Sequence, residues 1–395
     1  MDVKVSEGIV SQLSTESRLA PESGIVEVVN SAREREDLIP LWVGEGDLPT
    51  PDFICRAAKQ SLDAGETFYT YQRGIPELRS ALADYHAGLH GRSFSDQRFF
   101  VTGSGMQAIQ IAVTSVVSPG DEVLVPSPAW PNLAAAVEIR GGRAVTVPMM
   151  FRPGGWELDM DRLMAARTAR TRAIFINTPC NPTGWVASCE DLRGILDFAR
   201  KHGLWIIADE VYARFFFGEG GRAPSFADVA EDDDRILFVN TFSKNWSMTG
   251  WRIGWLSGPS EIGQVIENLI QYATSGVPVF SQRAAAAALT EGETYLQDQI
   301  SRAKTGRQLV IEQLSSSPRF RFAVPEGAFY AFFGIDGVTD ARRLALDLVR
   351  DTGVGLAPGT AFGTAGDGFL RLCFARSTDY LREGLGRIVQ WIEQV

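Results

Sequence analysis

The stretch Leu204-Trp205-Ile206-Ile207-Ala208-Asp209-Glu210-Val211-Tyr212 runs from a continuous apolar segment directly into two acids. An apolar run without polar alternation predicts a strand covered on both faces, as in a parallel sheet lying between layers of helix. A carboxylate at the carboxyl end of such a strand is costly to bury unless a cation or a hydrogen-bond donor meets it. Asp209 therefore marks this strand end as a candidate site.

The same texture extends outward. Residues 75–89 read as a helix, with Leu78, Leu82, Tyr85 and Leu89 at three- and four-residue spacing. A short strand at 98–102 follows, then a helix opening near Gly105. Further strands fall near 123–126, 144–148, 173–177, 204–208 and 236–240, with helical segments between most of them. This alternation predicts an α/β fold, a large domain with a mostly parallel central sheet flanked by helices. Ligands of such sheets collect at the carboxyl ends of the strands. Toward the C-terminus the pattern changes. Residues 266–314 read as one long helical tract, followed by strands at 320–324, 329–333 and 368–374, with a helix near 341–349 before the last strand. A final helix carries Tyr380, Leu381, Leu385, Ile388 and Ile392 on one face. The expected division is an N-terminal segment, 1–44, belonging to a small α+β domain; a large domain, 45–285; and the rest of the small domain, 286–395.

Composition excludes several classes. The 395 residues are 45% apolar and 22% charged, values of a globular chain long enough to need no disulfide or metal staple. Acids outnumber bases, 48 to 38, which disfavours nucleic acid as a partner. No run approaches the roughly 20 apolar residues of a membrane helix. Cys55, Cys180, Cys189 and Cys373 form no CxxC pair, and the opening MDVKVSEGIVSQLSTESRLA lacks the apolar centre of a signal peptide, so a cytoplasmic setting is expected. His86 and His90 lie four apart on the predicted helix without a third ligand in view. They read as a solvated helix end, and no metal is expected.

Three further strand ends carry chemistry. Gly103-Ser104-Gly105-Met106-Gln107-Ala108 formally matches a dinucleotide fingerprint, but Asp121 and Glu122 precede the next strand instead of ending it, so that reading fails on placement. What survives is an anion site on the free N–H groups of a helix start, or a plain tight turn. Asn177-Thr178-Pro179-Cys180-Asn181-Pro182-Thr183-Gly184 is a rigid loop in which Asn181 is either a fixed functional amide or a self-capping turn residue. Thr241-Phe242-Ser243-Lys244 ends the strand at 236–240, and Trp251-Arg252-Ile253-Gly254 follows. A lysine desolvated there has a lowered pKa and attacks carbonyl carbon; a lysine on an exposed loop does not.

In chain order these features resemble the aspartate aminotransferase-like (class I/II, fold-type I) family of pyridoxal-phosphate enzymes. The matching stretches are GEGD at 44–47, YTYQRGIPELR at 69–79, NPTG at 181–184, DEVY at 209–212, SKNWSMTGWRIG at 243–254, APGTAFG at 357–363 and LRL at 370–372. The resemblance spans about residues 40–390. It implies pyridoxal 5'-phosphate as cofactor and an aminotransferase that moves an amino group from an L-amino acid to a 2-oxo acid by ping-pong chemistry. The alternative on the same scaffold is a β-lyase, decarboxylase or oxidase. In the roles so implied, Lys244 bonds to the cofactor aldehyde and moves the substrate α-proton. Asp209 pairs with the protonated ring nitrogen. Tyr212 and Asn181 donate to the ring's phenolate oxygen, and Trp130 stacks on the ring. Ser104, Gly105, Met106, Thr241 and Arg252 hold the phosphate. Arg371 clamps the substrate α-carboxylate, helped by the Gly44 backbone and Asn181.

In relatives the tyrosine matching Tyr69 reaches the neighbouring subunit's phosphate, which implies a homodimer, with Thr274 and Ser275 expected at the same junction. Aspartate-specific relatives tend to carry lysine where Met106 stands. A thioether cannot neutralise a second carboxylate, which points to a neutral or aromatic amino donor, with 2-oxoglutarate or pyruvate as acceptor. Arg73 is the candidate that could supply the missing charge instead. Thr241 keeps the hydroxyl of the more usual serine.

Overall fold

The computed structural model describes residues 7–394. Its centre is a seven-stranded sheet. The strands are β1 (Phe99–Thr102), β2 (Glu122–Ser127), β3 (Arg143–Pro148), β4 (Thr171–Asn177), β5 (Trp205–Asp209), β6 (Ile236–Thr241) and β7 (Gly254–Ser257), in the order β1-β7-β6-β5-β4-β2-β3. All neighbours from β6 to β3 are parallel, whereas β7 runs antiparallel between β1 and β6.

The continuous apolar runs are explained by burial on both faces. Successive strand residues point to opposite sides. Phe175, Ile207, Leu237 and Val239 join a core with Ile109, Leu133 and Ile266 from helices Gly105–Val116, Asn132–Ile139 and Gly263–Thr274. Their neighbours Ile174, Ile176, Ile206 and Phe238 pack with Leu192, Ile195 and Phe198 of helix Cys189–His202. Each such side chain contributes about 1.5–3 kcal/mol on burial, so the sheet holds its shape without help from a ligand.

A second, antiparallel sheet contains β8 (Phe320–Phe322), β9 (Tyr330–Ile335), β10 (Ala357–Pro358) and β11 (Phe369–Cys373), in the order β8-β9-β11-β10. Helix Gly24–Ser31 packs on β10 and on helix Ala341–Thr352, where Arg342 forms an ion pair with Glu27.

The strands and helices expected from the sequence fall within a few residues of their observed places, but the structure adds elements the sequence reading did not assign, among them helices Gly24–Ser31 and Asp52–Asp63 and strand β10, and it differs elsewhere. The tract at 266–314 is three helices, Gly263–Thr274, Val279–Glu291 and Glu293–Ser315. The chain breaks first at Ser275 and Gly276, both left-handed (φ 57 and 98), before Pro278. It breaks again at Gly292, where a Cβ would fall 2.3 Å from the Ala288 carbonyl oxygen. The hairpin Met150–Arg152/Gly155–Glu157 has strands of three residues each, too short to show a period in sequence, and strand β7 was not expected. Finally, His86 is not at a solvated helix end. It sits among Tyr85, Phe94, Phe99 and Trp255, and burial together with the charges of His90, Arg222 and Arg98 pushes its pKa down to about 3. Among the described residues no group of three or more His, Cys, Asp and Glu could hold a metal, and no helix is long and apolar enough to cross a membrane.

Candidate active site

The carboxyl ends of β1, β2, β4, β5 and β6 open on one cavity of about 580 Å3. Its far wall is formed by Trp42, Gly44, Tyr330 and Arg371, and its rim by Ile25, Val26 and Val29 of helix Gly24–Ser31. Gly105, Met106, Trp130, Asn181, Asp209, Tyr212, Thr241, Lys244 and Arg252 all line it. Residues separated by more than 300 positions thus converge through the strand ends.

Asp209 is the last residue of β5 and is buried. Burial pushes its carboxyl up to about 7; the Val211 N–H at 3.4 Å and the Lys244 charge pull the other way. Among the described residues it forms no ion pair, so a buried acid faces the cavity without a cation in contact. Lys244 lies in a single helical turn, Phe242–Asn245, capped by the Thr241 hydroxyl, which accepts from the Ser243 N–H at 3.2 Å. Its Nζ donates to the Gly44 carbonyl at 2.8 Å, and burial lowers its pKa to about 8.

Helix Gly105–Val116 aims its N-terminus into the cavity. The Ser104 hydroxyl caps it by accepting from the Gln107 N–H at 2.9 Å, which leaves the N–H groups of Gly105 and Met106 free for an anion. Ser104 itself is not among the residues lining the cavity. Arg252 reaches the same spot through a left-handed conformation, φ 51, that places it opposite this helix start. A non-glycine residue there costs about 1 kcal/mol or more, a strain concentrated at functional positions. Gly254, two residues on, allows the approach: a Cβ would fall 2.7 Å from the Gly105 nitrogen.

A hydrogen-bond relay fixes the opposite side. Asn177 Nδ2 donates to the Asp209 carbonyl at 3.1 Å, and Asn177 Oδ1 accepts from the Asn181 N–H at 2.7 Å. Asn181 Oδ1 accepts from Arg371 Nη1 at 2.8 Å, so the Asn181 amide nitrogen is left for the cavity. Arg371 Nη2 also donates to the Trp42 carbonyl, and its guanidinium lies between the Tyr330 and Phe362 rings, 4.5 and 4.7 Å from their centres. Its Nε is buried without a hydrogen-bond partner. Tyr212 Oη lies 2.7 Å from Tyr330 Oη.

Tyr69 is not brought into this cavity. It is 93% exposed and lines, with Thr274 and Ser275, a separate surface depression of about 430 Å3. Arg73 is also elsewhere: its Nε is held by Glu267 at 2.7 Å, so it does not supply a charge to the cavity. Sequence reading missed Tyr330, Asn177 and Trp42. Trp42 acts through its carbonyl, and Tyr330 lies in an ordinary apolar strand, so neither leaves a signal. Asn177 was visible only as part of a loop.

The cavity offers a lysine with a lowered pKa, an acid lacking a cation, an anion cradle and an arginine with a spare donor. These fit the aldehyde, the ring nitrogen and the phosphate of pyridoxal phosphate, and the carboxylate of an amino acid, which defines a pyridoxal-phosphate enzyme of fold-type I. The chain belongs to the aminotransferases of class I and II, whose family model matches residues 36–388. It is 35% identical to a probable aspartate/prephenate aminotransferase of Aquifex aeolicus, over 91% of this chain and 92% of that one. It is 33% identical to aromatic-amino-acid aminotransferase 2 of Thermococcus litoralis, over 97% and 98%. The solved alanine aminotransferase of Pyrococcus furiosus superposes with a TM-score of 0.91 at 28% identity, covering 97% of this chain and all of that one (100%). The protein is a pyridoxal-phosphate-dependent aminotransferase.

Proposed function

We propose that this aminotransferase takes a neutral, apolar or aromatic L-amino acid as donor and a 2-oxo acid as acceptor, and that it works as a homodimer in the cytoplasm. The carrying observation is the cation count of the cavity. Among the described residues only Lys244, Arg252 and Arg371 line it with positive charge. Lys244 is assigned to the cofactor aldehyde, Arg252 to the phosphate and Arg371 to the α-carboxylate, which leaves none for a second carboxylate. Met106, Trp130, Ile25, Val26 and Val29 offer an apolar surface to a substrate side chain instead. The names of the relatives above span acidic, aromatic and small amino acids.

When bound, pyridoxal phosphate supplies an aldehyde that carries the amino group and a ring that accepts the electron pair released at the substrate α-carbon. Arg371 binds the substrate carboxylate through its guanidinium, and the fixed plane of that group orients the α-carbon. Lys244, with a pKa near 8, is poised to take a proton from the α-carbon and return it. Asp209 holds the proton on the ring nitrogen. Arg252, Thr241 and the backbone around Ser104, Gly105 and Met106 would anchor the phosphate, Trp130 would stack on the ring, and Tyr212 and Asn181 would donate to the phenolate oxygen.

The donor assignment is tested by kcat/KM for phenylalanine and aspartate with 2-oxoglutarate as common acceptor. Phenylalanine is expected to win by about a hundredfold or more, because an uncompensated buried carboxylate costs several kcal/mol. Equal values would sink the argument from Met106.

Dimerisation is supported by large aromatic side chains left in solvent, Phe68 at 84%, Tyr69 at 93% and Tyr272 at 87% exposure. Tyr69 then completes the phosphate site of the neighbouring copy. Light scattering is expected to give twice the chain mass; a fully active monomer would remove this assignment. The cytoplasmic setting is supported by the four cysteines, all of them free.

A further inference from the structure

We propose that Tyr330 is a positioning residue that dictates the direction of the Tyr212 hydroxyl proton and thereby tunes the ionisation of the bound cofactor. This rests on the reading above, in which Tyr212 donates to the phenolate oxygen.

Tyr330 opens β9 and is fully buried. Its Oη lies 2.7 Å from Tyr212 Oη, the two rings standing at 84° with centres 5.6 Å apart. Its hydroxyl is pressed against the cavity wall so closely that a Cβ on Gly44 would fall 2.2 Å from it, which explains the glycine at 44. Two hydroxyls at this distance share one proton, so one donates and the other accepts. Tyr212 has a single proton. It can give that proton to the cofactor only when Tyr330 supplies the one between them.

The surrounding charges make Tyr330 the donor. Arg371 favours ionisation of both phenols, but its guanidinium lies 4.5 Å from the Tyr330 ring centre and is the chief favourable charge there, whereas at Tyr212 it is opposed by Tyr330 itself and by Asp209, and the Lys244 amine stands 5.8 Å from the ring centre. Asp209 and Cys373 also face Tyr330 but oppose its ionisation, as burial does. Burial raises both phenols, with Tyr212 driven well above its ordinary value and further raised by Tyr330 itself. The more acidic phenol of a pair is the better donor, and an oxygen that accepts a hydrogen bond donates its own proton more strongly. Tyr330 therefore acts through Tyr212.

The test is the pH titration of the visible absorption of the holoenzyme, read beside amino-acid KM and kcat. Tyr330→Phe keeps the ring under Arg371, so KM is expected to stay within about twofold, while the titration midpoint rises by about half a unit to one unit and kcat falls. In the Tyr212→Phe background the same change is expected to move the midpoint no further. Incorporation of 3-fluorotyrosine at position 330, a more acidic phenol of nearly the same shape, is expected to lower the midpoint. A Tyr330→Phe midpoint equal to wild type, an added shift in the double variant, or no response to the fluorinated residue overturns the proposal. A midpoint that does not respond to Tyr212→Phe overturns the reading of Tyr212 and the proposal with it.

Discussion

Lys244→Ala is expected to lower kcat by at least about four orders of magnitude while the protein still binds pyridoxal phosphate non-covalently. Lys244 Nζ is the one amine lining the cavity among the described residues, so no neighbour can take over either the bond to the aldehyde or the α-proton. The phosphate cradle and Trp130 do not depend on it. Thr241, which caps the turn carrying the lysine, bonds through backbone and hydroxyl groups that an alanine at 244 leaves in place. Turnover of phenylalanine measured beside cofactor retention on gel filtration separates the two effects. A variant within about a hundredfold of wild type would remove Lys244 from the chemistry.

Asp209→Asn is expected to lower kcat by about two to four orders of magnitude, the rate equivalent of the roughly 3–5 kcal/mol lost when one member of a buried charge pair is removed. An amide cannot hold the proton on the ring nitrogen. The same substitution has an opposite effect on the protein without cofactor. In the unfolded chain Asp209 ionises near its ordinary value of 3.8, whereas in the fold burial holds it at about 7. Between these values the folded state binds the extra proton, so the apoprotein loses stability as pH rises through this window. The Asp209→Asn variant lacks that contribution; Glu210, also pushed up to about 7 by burial, keeps its own of the same sign. Thermal unfolding of the apo forms from about pH 4 to 8 is therefore expected to show stability falling less steeply in the variant. Identical slopes would mean that Asp209 is not protonated in the apoprotein.

The site was legible wherever function acts through a side chain placed at a strand end. Lys244, Asp209 and Asn181 stand at or just beyond the ends of apolar strands, and the rule that ligands gather at carboxyl ends converts their positions into one cavity, whereas Arg252 precedes β7 and reaches the cavity from outside that rule. The site was illegible where function depends on contacts between segments remote in the chain. The Trp42 carbonyl that holds Arg371, the Gly44 carbonyl that meets Lys244 and the hydroxyl pair of Tyr212 and Tyr330 depend on which segments lie side by side. Position 73 shows the same limit from the other direction: its arginine was a sound candidate by type, yet Glu267 holds it away from the cavity.

By itself the sequence determined the layered α/β fold, because periods of two and 3.6 residues and unbroken apolar strands are local properties that each segment carries alone. It also determined which residue types were available for chemistry. Only the tertiary structure decided that 266–314 bends into three helices, that His86 lies in an aromatic pocket, that Arg371 is pinned with one donor free, and that no fourth cation lines the cavity among the described residues. Each of these depends on the distance between groups remote in the chain, and burial, charge and hydrogen bonding take their strength from that distance.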